Sequence, residues 1–316
     1  MPLQPSTSAL WRLPILATLA ILTACAGPSA KRDSAPAASS GQRLSGNADE
    51  FASDALQAFV AADSQRALAS IARANVIAAD RPELAWLHAR ICATTPGCQA
   101  EPIETRLRKL APENGVVWLG PLARAQARQD KAAEQQILDV MSRAQRFDLY
   151  WTSLVWRLSA AFNSNSPPPG TPGANPQPLT HALDSTTEAL SAVVVPAFKP
   201  LSTACNLDRT QDPATRTQCQ RIAEAMQRSD STLVEGLGLG IAQRLATPAS
   251  PDAIVLDERV ATLSYRSQAA GAVVREQVER DKFSAQMLEL MKKLPREQDV
   301  ALAILRWAGQ PLLPAK

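Results

Sequence analysis

The sequence contains few aromatic side chains and almost no histidine. Aromatic residues make up 4% of the 316 residues, and two residues are histidines. No G-x-S-x-G, H-E-x-x-H, S-x-x-K or Walker sequence occurs in the chain. Because carboxylates are merely scattered along the chain, no residue set points to a known class of active site. We therefore predict a protein that is not an enzyme, with no catalytic residues and no cofactor.

The chain also lacks an excess of charge of either sign. It has 33 basic and 30 acidic side chains, for a formal net charge of +3. So small and evenly spread a charge predicts neither nucleic-acid binding nor an electrostatic membrane dock. Beyond residue 24, no apolar run approaches the roughly 18 residues that a transmembrane helix needs.

One apolar run does occur, from Leu13 to Leu22, directly after the single basic residue Arg12. The uncharged residues 13–24 are too few to stay across a hydrocarbon layer of roughly 30 Å as a helix, and their length suits a signal core. The run ends in Leu22-Thr23-Ala24-Cys25, which resembles the processing box of bacterial lipoproteins. The alternative is an ordinary secretory signal with an incidental cysteine.

The resemblance to lipoproteins implies how the chain is processed and where it is located. It implies that residues 1–24 are a signal peptide and that diacylglycerol is attached to the sulfur of Cys25. Ala26, which stands where an Asp would retain a lipoprotein at the inner membrane, implies the outer membrane, facing the periplasm. Residues 25–46 are rich in Ser, Ala and Gly without apolar periodicity, which predicts a lipidated flexible tether.

The four cysteines beyond Cys25 form two sequence-local pairs, Cys92 with Cys98 and Cys205 with Cys219. Because an exported chain meets an oxidising compartment, we predict two disulfides that close short loops. The turn dipeptide Pro96-Gly97 favours the disulfide between Cys92 and Cys98, because it can bring the ends of that loop together.

A metal site is the alternative for the first cysteine pair. His88 lies four residues before Cys92, and Cys98 would add a third ligand. No fourth ligand is in evident reach, so we predict no metal. His181, the other histidine, is expected at the surface of a first helical turn.

From residue 47 the apolar side chains recur three and four positions apart in alanine-rich segments, which predicts helices. Asn47, with Glu50 three residues later, is a capping signal for the first of them. Alternating β-branched runs are few. The sequence therefore predicts an all-α fold, with a helical-repeat region at 47–163 and a C-terminal helical region at 180–316.

Within the first region, Trp86, Trp118 and Trp151 are spaced by 32 and 33 residues, each shortly after a helix-start signal. A period near 33 with two helices per unit resembles tetratricopeptide-type repeats, and implies stacked helical hairpins of the alpha-solenoid kind. Equivalent tryptophans would then pack mostly in the core. The sequence departs from the repeat pattern at Pro121, which is expected to interrupt or kink its helix.

A proline-rich stretch at 164–179 separates the two regions and predicts an exposed linker or loop. Beyond it, Gly236, Gly238 and Gly240 lack the spacing and the preceding strand of a phosphate loop. We interpret them as small residues that let two helices approach closely. Whether the two regions form one array or two domains stays open.

These observations favour an interaction protein, anchored to the membrane by its N-terminal lipid, that presents a surface to a protein partner and binds no nucleic acid. The alternatives are an envelope-acting enzyme with a cryptic carboxylate site and a lipoprotein that neutralises a toxin in the periplasm. The sequence does not identify the partner.

Overall fold

A computed structural model describes residues 47–164, 178–277 and 280–314, without the side chains of residues 163 and 164. This part of the chain is all-helical, as predicted, with fourteen α-helices, two short 3-10 helices and no strand. Within it, no helix is both long and apolar enough to cross a membrane. The lipoprotein box, Cys25 and nearly all of the proline-rich stretch lie outside the described residues.

The helices are named in chain order. Those before the proline-rich stretch are α1 (Ala48–Val60), α2 (Ser64–Ile77), α3 (Pro82–Thr94), α4 (Ala100–Leu110), α5 (Leu119–Ala127), α6 (Lys131–Ser142) and α7 (Trp151–Ser164). Those after it are α8 (Leu179–Val193), α9 (Lys199–Ala204), α10 (Pro213–Met226), α11 (Thr232–Leu245), α12 (Pro251–Arg275), α13 (Arg280–Lys293) and α14 (Glu297–Trp307). The two 3-10 helices are Gly115–Trp118 and Arg209–Gln211.

Local sequence explains where these helices begin. The Asn47 side chain accepts hydrogen bonds from the backbone N–H groups of Asp49 and Glu50, while Glu50 bonds back to the Asn47 backbone, which is the predicted capping box. Proline stands in the first turn of α3, α9, α10 and α12, where its missing N–H costs no helical hydrogen bond.

Neighbouring helices pack largely as consecutive pairs. Helix α1 packs on α2, α3 on α4, and α5 on α6, and after the proline-rich stretch α10 packs on α11 and α11 on α12. The chain also returns on itself. Helix α7 packs on α1, α8 packs on α1, α3 and α7, and α10 packs on α6.

Most of the buried apolar residues belong to one continuous core that draws on both sides of the proline-rich stretch. It extends from Phe51 in α1 through Leu154 in α7 to Leu245 in α11. The two predicted regions therefore share a core as far as α11. A second, smaller core joins α12, α13 and α14 around Phe283, Met287 and Ile304.

The three evenly spaced tryptophans occupy different positions in their helices. Trp86 lies in the middle of α3 and is 4% exposed, whereas Trp118 ends a 3-10 helix and Trp151 begins α7. Trp118 and Trp151 are partly buried against the core. The regular spacing in sequence thus does not place the three rings equivalently.

Pro121 does not interrupt its helix, which continues to Ala127. Because α5 begins at Leu119, Pro121 lies in its first turn, where a backbone N–H would have no partner within the helix. The expectation assumed a helix that started before Trp118. Instead the 3-10 helix Gly115–Trp118 precedes α5.

Candidate functional surface

Polar contacts join the turns that precede α5, α7, α11 and α14, and we call these joined turns the turn seam. Gly115 donates its backbone N–H to the Arg146 carbonyl at 2.8 Å. Asn114 donates its side-chain amide to the Asp148 carbonyl at 2.9 Å and accepts the Asp148 N–H at 3.0 Å. Farther along, the Ser229 hydroxyl donates to the Phe147 carbonyl at 2.6 Å. Turns distant in sequence are thereby fixed to one another.

At the centre of the turn seam, Asp148 and Asp230 cap each other's turns. The Asp230 carboxylate accepts the backbone N–H groups of Leu149 at 2.8 Å and Trp151 at 3.1 Å, at the start of α7. In return, the Asp148 carboxylate accepts the Asp230 N–H at 3.0 Å. Since N–H groups at the start of a helix have no partner within it, each carboxylate satisfies donors that burial would otherwise leave unpaired.

The surroundings of these carboxyl groups perturb their titration. Asp230 is 8% exposed, and burial, reinforced by the nearby Asp148 charge, raises the pKa of Asp230 to about 7. Burial also raises the pKa of Asp148, although Arg146 opposes that shift. Tyr150, whose hydroxyl receives the Asn114 amide, has its pKa raised by burial to about 12.

The turn seam continues to α14. Glu297 donates its backbone N–H to the Asp230 carbonyl at 2.9 Å, and its side chain accepts the Thr232 N–H at the start of α11, at 2.8 Å. Arg296 donates to the Ser229 carbonyl at 3.2 Å. The starts of α7, α11 and α14 are therefore held together by one set of hydrogen bonds.

Beside the seam, α11, α12 and α14 enclose a cavity of about 440 Å³, which we call the polar groove. Its walls carry arginines, carboxylates, hydroxyls and aliphatic side chains: Thr232, Glu235, Val255, Glu258, Arg259, Thr262, Leu263, Arg266, Ser267, Arg296, Gln298, Asp299, Ala301 and Leu302. The three arginines and three carboxylates balance in charge. The groove therefore suits a surface with side chains of both signs rather than a strongly charged ligand.

Glu235 lies between two of these arginines. Its carboxylate oxygens are 3.6 Å from an Arg296 nitrogen and 4.0 Å from an Arg259 nitrogen. One of those oxygens, Oε2, is buried without a hydrogen bond, and so is Oε1 of Gln298. Both oxygens are buried within the wall of the groove, and Glu235 Oε2 faces the Arg296 guanidinium.

The buried carboxylate pair is separate from this groove. Neither Asp148 nor Asp230 is among the groove's lining residues, and backbone N–H donors engage both side chains. Such contacts are those of capping groups, not of an acid and a base facing a substrate.

The structure places the four described cysteines in two pairs at disulfide distance. The sulfur atoms are 1.99 Å apart for Cys92 and Cys98 and 2.02 Å apart for Cys205 and Cys219, as the sequence predicted. Gly97 adopts a φ of +80° in the first loop, a conformation that glycine permits.

The two histidines lie apart. His88 lines a small cavity between α2, α3 and α4, where burial, with a smaller contribution from the charge of Arg106, lowers its pKa to about 4. Cys92 and Cys98, which the metal alternative required, bind each other instead. His181 is exposed in the first turn of α8, as expected, beside the ring of Phe162. Across the described ranges, no group of three or more potential ligands is arranged to hold a metal.

The three-glycine stretch is helical and belongs to α11. A Cβ atom on Gly238 would lie 2.7 Å from the Met226 Cβ and 2.9 Å from the Ala223 carbonyl oxygen in α10. Gly238 therefore permits the close approach of helices that the sequence suggested. Gly240, by contrast, faces open space.

Little in the sequence indicates the turn seam or the polar groove. Phe147-Asp148 is the helix-start signal before Trp151, but its partner Asp230 lies 82 residues away with no local mark of burial. The groove combines residues from three helices whose packing no periodicity specifies. Comparison with known proteins finds no family model, no curated protein and no solved structure that matches this chain, so its function is argued from its own residues.

Proposed function

We propose that the chain is a lipid-anchored interaction protein of a bacterial outer membrane that faces the periplasm and binds a protein partner. The lipoprotein-like box that ends in Cys25, followed by Ala26, supports the anchor and the address. The two cysteine pairs support export, because disulfides form and persist in oxidising compartments. We further infer that the pairs α1–α2 and α3–α4 are tetratricopeptide-like hairpins.

The observation that carries the binding function is the polar groove. Its walls combine arginines, carboxylates and hydroxyls with aliphatic side chains such as Val255 and Leu263. Protein interfaces combine these two features, an apolar centre and a small number of hydrogen bonds. The turn seam fixes the starts of α11 and α14, so the groove is preorganised and binding costs less ordering of the protein.

Two consecutive residues of α12 provide a matched test. Val255 is 53% exposed and lines the polar groove, whereas Ile254 is 55% exposed and does not line it. The anchored chain and the variants Val255→Arg and Ile254→Arg are expressed in the native host, chemically cross-linked and purified. We expect Val255→Arg to lose the cross-linked partner and Ile254→Arg to retain it, at equal melting temperatures.

Two results would contradict the role of the groove. If both variants retained the partner, binding would lie elsewhere on the surface. If both lost it at unchanged stability, the outer face of α12, rather than the groove, would carry the interaction.

The membrane address has a separate test. Cys25→Ser removes the sulfur that would carry the lipid, so the precursor is expected to escape lipoprotein processing and the chain to be released from the membrane fraction by a high-salt wash, without detergent. Metabolic palmitate labelling with fractionation measures both effects. Palmitate label that persists in the variant would exclude Cys25 as the acylated residue.

A further inference from the structure

An apolar groove lies between α13 and α14, away from the polar groove. It encloses about 450 Å³ and is lined mainly by Phe283, Met287, Leu290, Ala303, Ile304 and Trp307. The Trp307 ring contacts that of Phe283, with 5.5 Å between the ring centroids, yet 57% of the Trp307 surface is exposed. A large aromatic side chain thus lies over an apolar depression in contact with solvent.

The charged residues around this groove are mostly basic. Lys292 and Lys293 occupy the last turn of α13, and Arg306 the last turn of α14. All three are exposed, as is Glu289, the acidic residue among the groove's lining. Of these, Lys293 and Glu289 line the groove itself, while Lys292 is the chain neighbour of Lys293 and Arg306 the chain neighbour of Trp307. We call Lys292, Lys293, Arg306, Trp307 and this groove the basic–apolar face.

We propose that the basic–apolar face docks on the anionic surface of a lipid bilayer. Tryptophan favours the boundary between headgroups and acyl chains because its ring is apolar and its N–H is polar. Exposed lysine and arginine side chains pair with anionic headgroups while their aliphatic stems lie along the apolar surface. A bilayer engages all of these groups at once, whereas an apolar partner helix leaves the three cations unmatched.

This contact is distinct from the proposed acyl anchor at Cys25. The anchor would hold the chain near the bilayer through residues 25–46, for which the predicted tether would give an average extension of roughly 25 Å. Docking of the basic–apolar face would then set the orientation of the folded part. The docking proposal rests on the proposed function only in that the anchor brings the chain near a bilayer. Because docking is tested on the chain without its lipid, either proposal can be refuted without the other.

The test uses the mature chain without its lipid, residues 25–316 carrying Cys25→Ser, a change that removes no described residue. Co-sedimentation is measured with vesicles of phosphatidylcholine alone and of phosphatidylcholine mixed with anionic phosphatidylglycerol. We expect binding to the anionic vesicles and none to the neutral ones. Binding should fall as salt shortens the screening length from about 10 Å at 0.1 M to about 3 Å at 1 M.

Matched variants locate the contact. Lys292→Ala with Lys293→Ala should weaken binding roughly 30-fold, from about fivefold for each lysine near an anionic surface. Lys109→Ala with Lys199→Ala makes the same change in net charge at exposed positions of α4 and α9, and should leave binding unchanged. Melting temperatures of both double variants show that the fold is retained.

Trp307 gives a direct optical readout. Lipids brominated in their acyl chains should quench part of the tryptophan fluorescence of the parent chain, and Trp307→Phe should abolish that quenching, since the exposed ring is the one expected to reach them.

The proposal is overturned by binding that does not distinguish anionic from neutral vesicles, by equal losses in the two double variants, or by no vesicle binding at all. Concentration-dependent dimerisation of the unlipidated chain that Trp307→Ala abolishes, without vesicle binding, would identify a second copy as the occupant instead.

Discussion

The pKa of the buried Asp230 is raised and that of the partly buried His88 is lowered. These two shifts predict how the free energy of unfolding changes with pH. The pKa of Asp230 is raised to about 7, so the folded state retains a proton that the unfolded state has released above its ordinary pKa near 3.8. The contribution of Asp230 to the free energy of unfolding is fully present below pH 3.8 and is lost as the pH rises to about 7. The pKa of His88 is lowered from 6.5 to about 4, so its contribution rises with pH over that interval.

The magnitudes follow from about 1.36 kcal/mol for each pH unit over which the folded and unfolded states differ by one proton. Between pH 5 and 6.5, Asp230 should lower the free energy of unfolding by about 2 kcal/mol. His88 should raise it by about 1 to 1.5 kcal/mol, since the half-buried imidazole is partly screened. The two contributions oppose each other over this interval, and the raised pKa of Asp148 acts in the same direction as that of Asp230.

Single substitutions should separate the two slopes. In Asp230→Asn the stability should rise from pH 5 to 6.5, and in His88→Gln it should fall more steeply than in the wild type. His181→Gln, at the exposed histidine, serves as the control and should leave the profile unchanged. Urea unfolding followed by circular dichroism gives the free energies, and wild-type values are subtracted at each pH so that the shared carboxylates cancel.

The reasoning is refuted if Asp230→Asn has the same pH slope as the wild type. That result would mean that Asp230 is already ionised in the folded protein at pH 5. The two backbone N–H donors of Leu149 and Trp151, which favour the carboxylate, would then outweigh burial and the neighbouring Asp148.

Three further predictions concern stability and cysteine chemistry. Trp86→Ala should lower the free energy of unfolding, measured in urea, by about 3 to 5 kcal/mol. Trp118→Ala should lower it less, because Trp118 is only partly buried. Equal losses would show that the two tryptophans are packed equivalently after all. Gly238→Ala should lower the melting temperature, because the added Cβ would meet α10. Gly240→Ala should raise the free energy of unfolding by about 0.5 to 1 kcal/mol, because its position is open and alanine favours the helix. A stabilising Gly238→Ala with a destabilising Gly240→Ala would contradict the close approach. The denatured, unreduced mature chain should give no free thiol in a colorimetric titration; a stoichiometric zinc ion that is lost on His88→Ala would favour the metal alternative.

Local patterns were sufficient for the helical class and for the start of α1. The capping pair Asn47 and Glu50 begins α1 as predicted, because a cap depends on residues three positions apart. The pairing of Cys92 with Cys98 was equally accessible, since a six-residue separation with a turn between them leaves few alternatives. All-helical character follows from apolar spacing that is repeated along the chain.

The packing of the tryptophans did not follow from their spacing in the sequence. Trp86, Trp118 and Trp151 are evenly spaced, yet a 3-10 helix before α5 shifts Trp118 to the end of one element while Trp86 lies inside another. Spacing in sequence becomes spacing in space only when each unit has the same helix lengths. Pro121 was misjudged for the same reason, because its effect depends on where its helix begins.

The sequence by itself therefore determined the helical class and the cysteine pairs, from composition and from residues near one another in the chain. Only the tertiary structure decided that Gly238, rather than Gly236 or Gly240, lets another helix approach closely, that Asp148 and Asp230, 82 residues apart, cap each other's turns, and that Lys293 and Trp307 line one apolar groove. The physical reason is that hydrogen bonds and charge act over a few ångströms, whatever the separation along the chain, and periodicity in sequence records only which face of a helix is buried, not which helix covers it.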